Sequence, residues 1–443
     1  MAQHTSKKPQ QSPELASRAA ALNLLQAVLQ KHRSIDDAFD NAARGLEPRD
    51  RAFVRLLVAT TLRRLGQIDD VLMGFVAKEP PPDVRDLLRL GAAQLLFLGT
   101  APHAAVATTV DLVKPKYGRL SGLANAVMRR VADQGAGLVA AQDAAKLNTP
   151  PWLWDSWVAA YGDPAARATA EAHLHEAPLD LSVKDPASGA AWAQKLGGIL
   201  LPTGTVRLAK GGPKGNKVQE LEGFGDGAWW VQDAAAALPA KILLQALAQK
   251  GVQQIGDICA APGGKSAQLA AAGHTVTAVD ISDQRLGLMR ENLKRLKLDG
   301  RCIAADALTW RPETLFDGLL LDAPCSATGT IRRHPDLPFL KRPTDLAAFV
   351  AAQTALLKAA VAMVKPGAPI VYSVCSLQPE ERKAVIDAVS AEANIARQKI
   401  PAAAIAGENQ FLTRDGELRT LPSQWGELGG LDGFYGVLLQ RTL

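Results

Sequence analysis

The chain has 443 residues, of which 47% are hydrophobic and 21% charged, so it is too long and too apolar to be disordered and should bury real cores. Fifty Lys and Arg against 44 Asp and Glu leave a net charge of +6, which is compatible with a polyanionic partner but too small an excess to establish one. The four cysteines, Cys259, Cys302, Cys325 and Cys375, form no C-x-x-C pair, which excludes a zinc ribbon or a disulfide framework and fits reduced thiols in a cytosol.

In chain order, the first 12 residues, MAQHTSKKPQQS, read as a disordered polar tail without the apolar centre of a signal peptide. No uninterrupted apolar run approaches the ~18 residues that span a bilayer, so the expectation is a soluble cytoplasmic protein without membrane or metal partners. Residues 13–145 read as an all-helical domain. Leu15, Ala19, Leu22, Leu25 and Leu29 recur at helical spacing, with Ser12 as an N-cap before Pro13. The period returns at Val84, Leu87, Leu88, Leu95 and Leu98, after the break at Pro80–Pro82, with Asp83 as a candidate cap. Arg63, Arg64, Lys114, Lys116, Arg119, Arg129 and Arg130 offer a phosphate-facing surface, although such residues usually form a solvated face.

Residues 146–231 change character after Asn148–Pro151 and read as a small α/β module. Its strands are expected at Leu179–Val183, Gly198–Leu201 and Ala228–Val231, and its helix at Ala187–Leu196. Lys210, Lys214 and Lys217, among glycines, fit either a loop touching phosphate or a soluble hairpin tip. His173 and His175 match no metal-ligand spacing and read as solvated helix histidines.

From residue 232 to 443, β-like runs alternate with helical ones. Strands are expected at Gln254–Ile258, Thr275–Asp280, Arg301–Ala304, Asp317–Asp322 and Pro369–Val374, and a helix at Gln284–Leu296. This alternation predicts a Rossmann-like, doubly wound parallel sheet, whose ligands bind at the carboxyl ends of the strands.

The first of these strands runs into Cys259, Ala260, Ala261, Pro262, Gly263, Gly264, Lys265 and Ser266. Small residues let a ligand approach the backbone, and a helix starting near Lys265 points free amides at it. A phosphate-binding P-loop fails here, because its first glycine would fall on Cys259 and Pro262 removes an amide. Asp280 ends the second strand, where an acid takes ribose hydroxyls, and Asp306 after the third suits an adenine amino group. Loop and acids together describe an adenosine-bearing ligand, either a dinucleotide or S-adenosylmethionine.

The fourth and fifth strands run into Asp322-Ala-Pro-Cys325 and Ser373-Val-Cys375. Adjacent strand ends converge on one cleft, so both thiols should face one ligand, whereas Cys302 and Cys259 read as small apolar residues. Two thiols beside an acid suit methylation of carbon 5 of a pyrimidine: a thiolate adds to carbon 6, an acid near nitrogen 3 stabilises the adduct, and a base later removes the carbon 5 proton. Asp322 and Cys325 are placed for the last two tasks, and Lys265 for orienting the base or lowering a thiol pKa. Spacing does not say which thiol attacks.

At these residues the sequence resembles the Sun/Fmu (RsmB) family of bacterial ribosomal RNA small-subunit cytosine-5 methyltransferases. The resemblance rests on DICAAPGGKS from Asp257, VDIS from Val279, DAPCSATGTIRRHPD from Asp322, SVCSLQPEE from Ser373 and DGFYGVLL from Asp432. In the helical domain, RAFVRLLVATTLRR and GLANAVMRRV resemble a NusB-like RNA-binding domain. The resemblance implies S-adenosylmethionine as cofactor, held by Cys259 to Lys265, Asp280, Arg285, Asp306 and Asp322. It implies Cys375 as the nucleophile, Cys325 as the thiol needed for product release, and Asp322 with Lys265 near the cytosine. Val374, Arg382, Tyr435 and Gly436 depart from the family's usual Thr, Asn, Phe and Ala. The same reaction on transfer RNA, or an RNA-binding factor on an inactive methyltransferase scaffold, are the alternatives. Arg332, Arg333 and His334 are expected to hold the RNA backbone flanking a flipped base.

Overall fold

The computed structural model describes residues 13–208, 217–248, 251–391 and 394–442. The expected tail, the cap at Ser12, and Lys210 and Lys214 lie outside the described residues. Two compact units emerge. One holds the chain up to Asp155 with 166–175 and 334–342, and the other holds 156–165, 176–333 and 343 onward. Residues 146–231, read as one module, are therefore distributed over both.

The first unit is helical, as expected. Prolines stand at the start of the helices Pro48–Arg63, Pro82–Leu96 and Pro102–Tyr117, where a missing amide costs nothing. In the helix Pro13–Leu29 the fully buried stripe is Ala21, Leu24, Leu25 and Val28, one step round from the expected face, of which only Leu25 is fully buried. The helix Pro82–Leu96 is buried continuously from Leu87 to Gln94 and carries a charge inside. Arg89 meets that demand with a bidentate pair to Asp69 (2.7 and 2.6 Å) and a bond to Asp86 (2.8 Å). Asp83 is not a cap, because Pro81 occupies that position, and its carboxylate instead accepts from Lys116, Gln26 and Tyr117. Arg64 and Lys114 also bond within the unit, while Arg119, Arg129 and Arg130 are exposed. His173 is buried with Ala166, Thr169 and Ala170 on the inner face of its helix rather than solvated.

The second unit has two sheets. The smaller contains β1 (Leu179–Val183), β2 (Ile199–Leu200), β3 (Val206–Leu208) and β4 (Trp229–Val231), antiparallel in the order β2-β3-β1-β4. It has its own core of Leu181, Val206, Leu208 and Trp229. The larger begins with five parallel strands, β5 (Gln254–Ile258), β6 (Thr275–Asp280), β7 (Arg301–Ala304), β8 (Gly318–Asp322) and β9 (Pro369–Val374). It continues through β10 (Ile395–Gln398), β11 (Leu418–Thr420) and β12 (Phe434–Arg441), which the sequence reading did not include.

The order is β10-β12-β9-β8-β5-β6-β7, with β11 also on β12. Because β12 runs antiparallel to β9, the sheet is mixed rather than wholly parallel. The strand order reverses between β5 and β8, which opens a crevice at their carboxyl ends. The helix Leu346–Met363 is long and apolar enough to cross a membrane by length and composition, yet Leu357, Ala360 and Met363 are buried in the core of the larger sheet.

Candidate active site

β5 ends at Ile258 and the chain turns at once, with Cys259 (φ 60°) and Gly263 (φ 97°) in left-handed conformation. A Cβ at Gly263 would also press on Met289, so glycine is required there twice over. Helix Gly264–Ala271 starts behind this turn with no side-chain cap, so its first amides are open to an anion.

Asp280, at the end of β6, accepts from the Ala261 amide (3.1 Å) through Oδ2 and from the Ser282 amide (2.9 Å) through Oδ1. Arg285 lies 3.5 Å from the same carboxylate and donates to the Ala261 carbonyl. The structure thus brings Asp280, Arg285 and the loop together. Asp306, opposite on β7's exit, is exposed and caps its own turn through Oδ1, which accepts from Leu308 (2.9 Å).

The loop's lysine reaches the next strand end. Lys265 Nζ lies 2.7 Å from Asp322 Oδ2, and Ser373 Oγ donates to Asp322 Oδ1 (2.9 Å). Burial disfavours the Lys265 ammonium, but Asp322 and Asp257 outweigh it and raise its pKa. Below the loop, Asp257 is fully buried and accepts from Ser266 Oγ, while its Oδ1 has no hydrogen-bond partner among the described residues. Burial pushes its carboxyl up to about 7. Burial likewise pushes the Cys259 thiol up to about 12, as expected of a packing residue.

Cys325 and Cys375 leave β8 and β9, whose register pairs Asp322 with Ser373. Their sulfurs are 3.4 Å apart. The two loops are joined where the Gly329 amide donates to the Cys375 carbonyl (3.0 Å) and the Leu377 amide to Thr328 Oγ1 (3.0 Å). The hydrogen bond to Cys375, and then burial, hold the Cys325 thiol well above its usual range.

Arg332 and Arg333, expected to hold the RNA backbone, are engaged with acids of the protein itself. Arg332 is 2% exposed, bonded to the Gly429 carbonyl (2.7 Å) and Asp432 (3.3 Å). Arg333 binds Asp432 and Asp233, and Arg207 on β3 holds Asp180 on β1 in a buried bidentate pair, both contacts at 2.7 Å. These arginines neutralise buried acids. His334 belongs to the helical unit, 3.7 Å from Asp36. Two departures from the expected motifs meet: the Arg382 guanidinium lies 5.9 Å from the Tyr435 ring and 5.1 Å from that of Tyr161.

Residues 244–440 match the 16S rRNA methyltransferase RsmB/F family, and residues 15–133 match the NusB family. Ribosomal RNA small subunit methyltransferase B of Vibrio cholerae serotype O1 is 34% identical over 440 residues, covering 96% of this chain and 97% of that one. The protein of the same name from Xanthomonas campestris pv. campestris is 35% identical over 395 residues, covering 84% and 87%.

The chain belongs to the 16S rRNA methyltransferase RsmB/F family.

It is therefore a methyltransferase. Its fold is similar to the crystal structure of PH0851 (TM-score 0.73, 20% identity, 98% and 100% covered). It is also similar to NSun6 from Pyrococcus horikoshii with SFG (TM-score 0.54, 18% identity, 66% and 98% covered). Within this family member, two notable residues escaped the sequence reading. Ile281, directly after Asp280, is 76% exposed beside the strand end that carries the acid. Glu381, in the quoted SLQPEE motif, is fully buried between the two cysteine loops. An acid beside a proline, ahead of a helix, signals only an exposed first turn.

Proposed function

We propose that this methyltransferase places a methyl group on carbon 5 of a cytosine in small-subunit ribosomal RNA, through a covalent adduct with Cys375. The observation that carries the reading is the 3.4 Å approach of the two thiols. The Asp322–Lys265 pair, at the same strand ends, supports it. Relatives named for the ribosomal small subunit, matched along nearly the whole chain, favour that RNA over transfer RNA. A cytoplasmic setting belongs to the same proposal.

S-adenosylmethionine supplies the electrophilic methyl group. The residues fit it: the open amides at Gly264, Lys265 and Ser266 suit its carboxylate, Asp280 its ribose hydroxyls, and Asp306 an adenine amino group. Exposed Ile281 offers an apolar face, Cys259, Ala260, Ala261, Pro262 and Gly263 line the pocket, Arg285 braces it, and Asp322 closes its inner side.

Cys325, held well above its usual range by its bond to Cys375 and then by burial, keeps its proton at neutral pH with its sulfur 3.4 Å from that of Cys375. The Cys375 sulfur adds to carbon 6, the ring double-bond electrons move toward nitrogen 3, and the Asp322–Lys265 pair offers a proton there. Carbon 5, now nucleophilic, takes the methyl group. Its proton then passes to a base, nitrogen 3 returns its proton to the Asp322–Lys265 pair, the carbon 5–carbon 6 double bond re-forms, and the sulfur–carbon bond breaks. Cys325 suits this late step: as it takes the carbon 5 proton, its own proton passes to the departing Cys375 sulfur.

The test is transfer of labelled methyl groups to naked small-subunit rRNA by wild type, Cys375→Ala and Cys325→Ala. The expected result is loss of activity in Cys375→Ala and an RNA-linked protein accumulating only in Cys325→Ala. Labelling of transfer RNA alone would overturn the substrate, and activity in Cys375→Ala the mechanism.

A further inference from the structure

We propose that Glu381 is a positioning residue that holds the two thiol-bearing loops at their working separation; this rests on the two-thiol reading above. Its carboxylate is fully buried, yet no cation is bonded to it among the described residues; it is satisfied by four donors. Oε1 accepts from the Ser326 amide (2.8 Å) and from Gln353 Nε2 (2.9 Å). Oε2 accepts from both the Ser326 and the Ser376 hydroxyls. Those serines are the immediate successors of Cys325 and Cys375, and their own oxygens lie 2.9 Å apart.

One carboxylate therefore ties together two loops that are 50 residues apart in sequence. Gln353 extends the clamp, since its Nε2 also donates to the Pro324 carbonyl (2.9 Å), one residue before Cys325. The Tyr372 hydroxyl, on β9, donates to the Glu381 carbonyl (3.0 Å) and to Gln353 Oε1 (3.2 Å), which anchors the clamp to the sheet. A buried acceptor that engages four donors at once fixes their mutual positions. Its charge also stands among the causes that keep Cys325 protonated. Neither serine is bonded to the cofactor loop, so the clamp acts on the thiols and not on cofactor binding.

The test compares Glu381→Gln, which keeps the volume and loses the charge and one acceptor oxygen, with the double variant Ser326→Ala, Ser376→Ala. Both should lower kcat by about 100-fold, the loss expected of a reacting group displaced by about 1 Å. KM for S-adenosylmethionine should stay within about twofold, as for an interaction that matters only in the transition state. In the absence of any substrate, diamide should oxidise Cys325 and Cys375 to a disulfide in wild type and at least about tenfold more slowly in both variants. A kcat within about threefold of wild type in either folded variant, or unchanged disulfide formation, would overturn the proposal. If Glu381→Gln does not fold, the serine pair decides. Disulfide formation needs no RNA, so it judges the clamp even if wild type methylates no cytosine, an outcome that would fail the reading of function alone.

Discussion

Lys265 and Asp322 come from different strand ends and meet at 2.7 Å in the crevice, the lysine side chain 11% and the aspartate 29% exposed. Removing the acid alone leaves an ammonium in a poorly hydrated place. Asp322→Asn should destabilise the fold by about 1–3 kcal/mol in urea unfolding, and adding Lys265→Met should recover part of that loss. Methyl transfer should fall by about 100-fold or more in Asp322→Asn, because a proton at the ring is no longer offered. A double variant less stable than the single one would show that the two side chains do not compensate each other.

Asp257 gives the fold a pH dependence of its own. Its carboxyl is raised from 3.8 to about 7 by burial in the folded chain. Between those values the folded chain keeps a proton that the unfolded chain has released, so rising pH costs stability until about 7 and no further. Asp257→Asn removes this term. The melting temperature of Asp257→Asn minus that of wild type should therefore climb from pH 4 toward pH 7 and level off above, and a difference independent of pH would refute the burial argument.

The sequence made the parallel strands legible because each is buried and ends at a motif. β5, β6, β7 and β9 lie at the expected residues, and β8 starts one residue late. β3 escaped, and so did β10 to β12, which join the sheet through antiparallel pairing on β12 rather than as further parallel strands. The loop, Asp280 and the two cysteines were legible as types at strand ends. Their separations were not, since those follow from the register of β8 on β9. Arg332 and Arg333 read as a pair holding the RNA backbone because Asp233 and Asp432, which neutralise them, are about 100 residues away in sequence. Local pattern cannot see such partners. The stripe of the first helix was displaced for a related reason: alanines fill the side that packs most closely, and counting leucines favours the wrong face.

Arg332→Met leaves Asp432 and Asp233 short of a partner inside the protein, and should destabilise it by about 3–5 kcal/mol. Where folded protein remains, the slope of RNA affinity against salt should be unchanged, because no phosphate contact has been lost. Arg130→Ala, at an exposed helix position, should leave stability within about 0.5 kcal/mol of wild type. A reduced salt slope with full stability in Arg332→Met would restore the phosphate role.

Gly329 is needed for closeness and not for an unusual backbone angle. A Cβ there would collide with the Gly433 carbonyl and come within 2.9 Å of the Cys375 carbonyl, both of them backbone that cannot rotate away. Gly433 in turn donates to the Gly329 carbonyl (2.8 Å), so the start of β12 is drawn into the same junction. Adding one methyl group must spread the Cys325 loop from the Cys375 loop. Gly329→Ala should cost about 3 kcal/mol of stability from overpacking. It should also lower methyl transfer by about 100-fold, by parting the thiols. Gly225→Ala, where nothing lies within 4 Å of the added carbon, is the control and should change neither. If Gly329→Ala lost stability and kept full activity, the crossing of the two loops would be a feature of folding, and the thiol separation would be set elsewhere in the sheet.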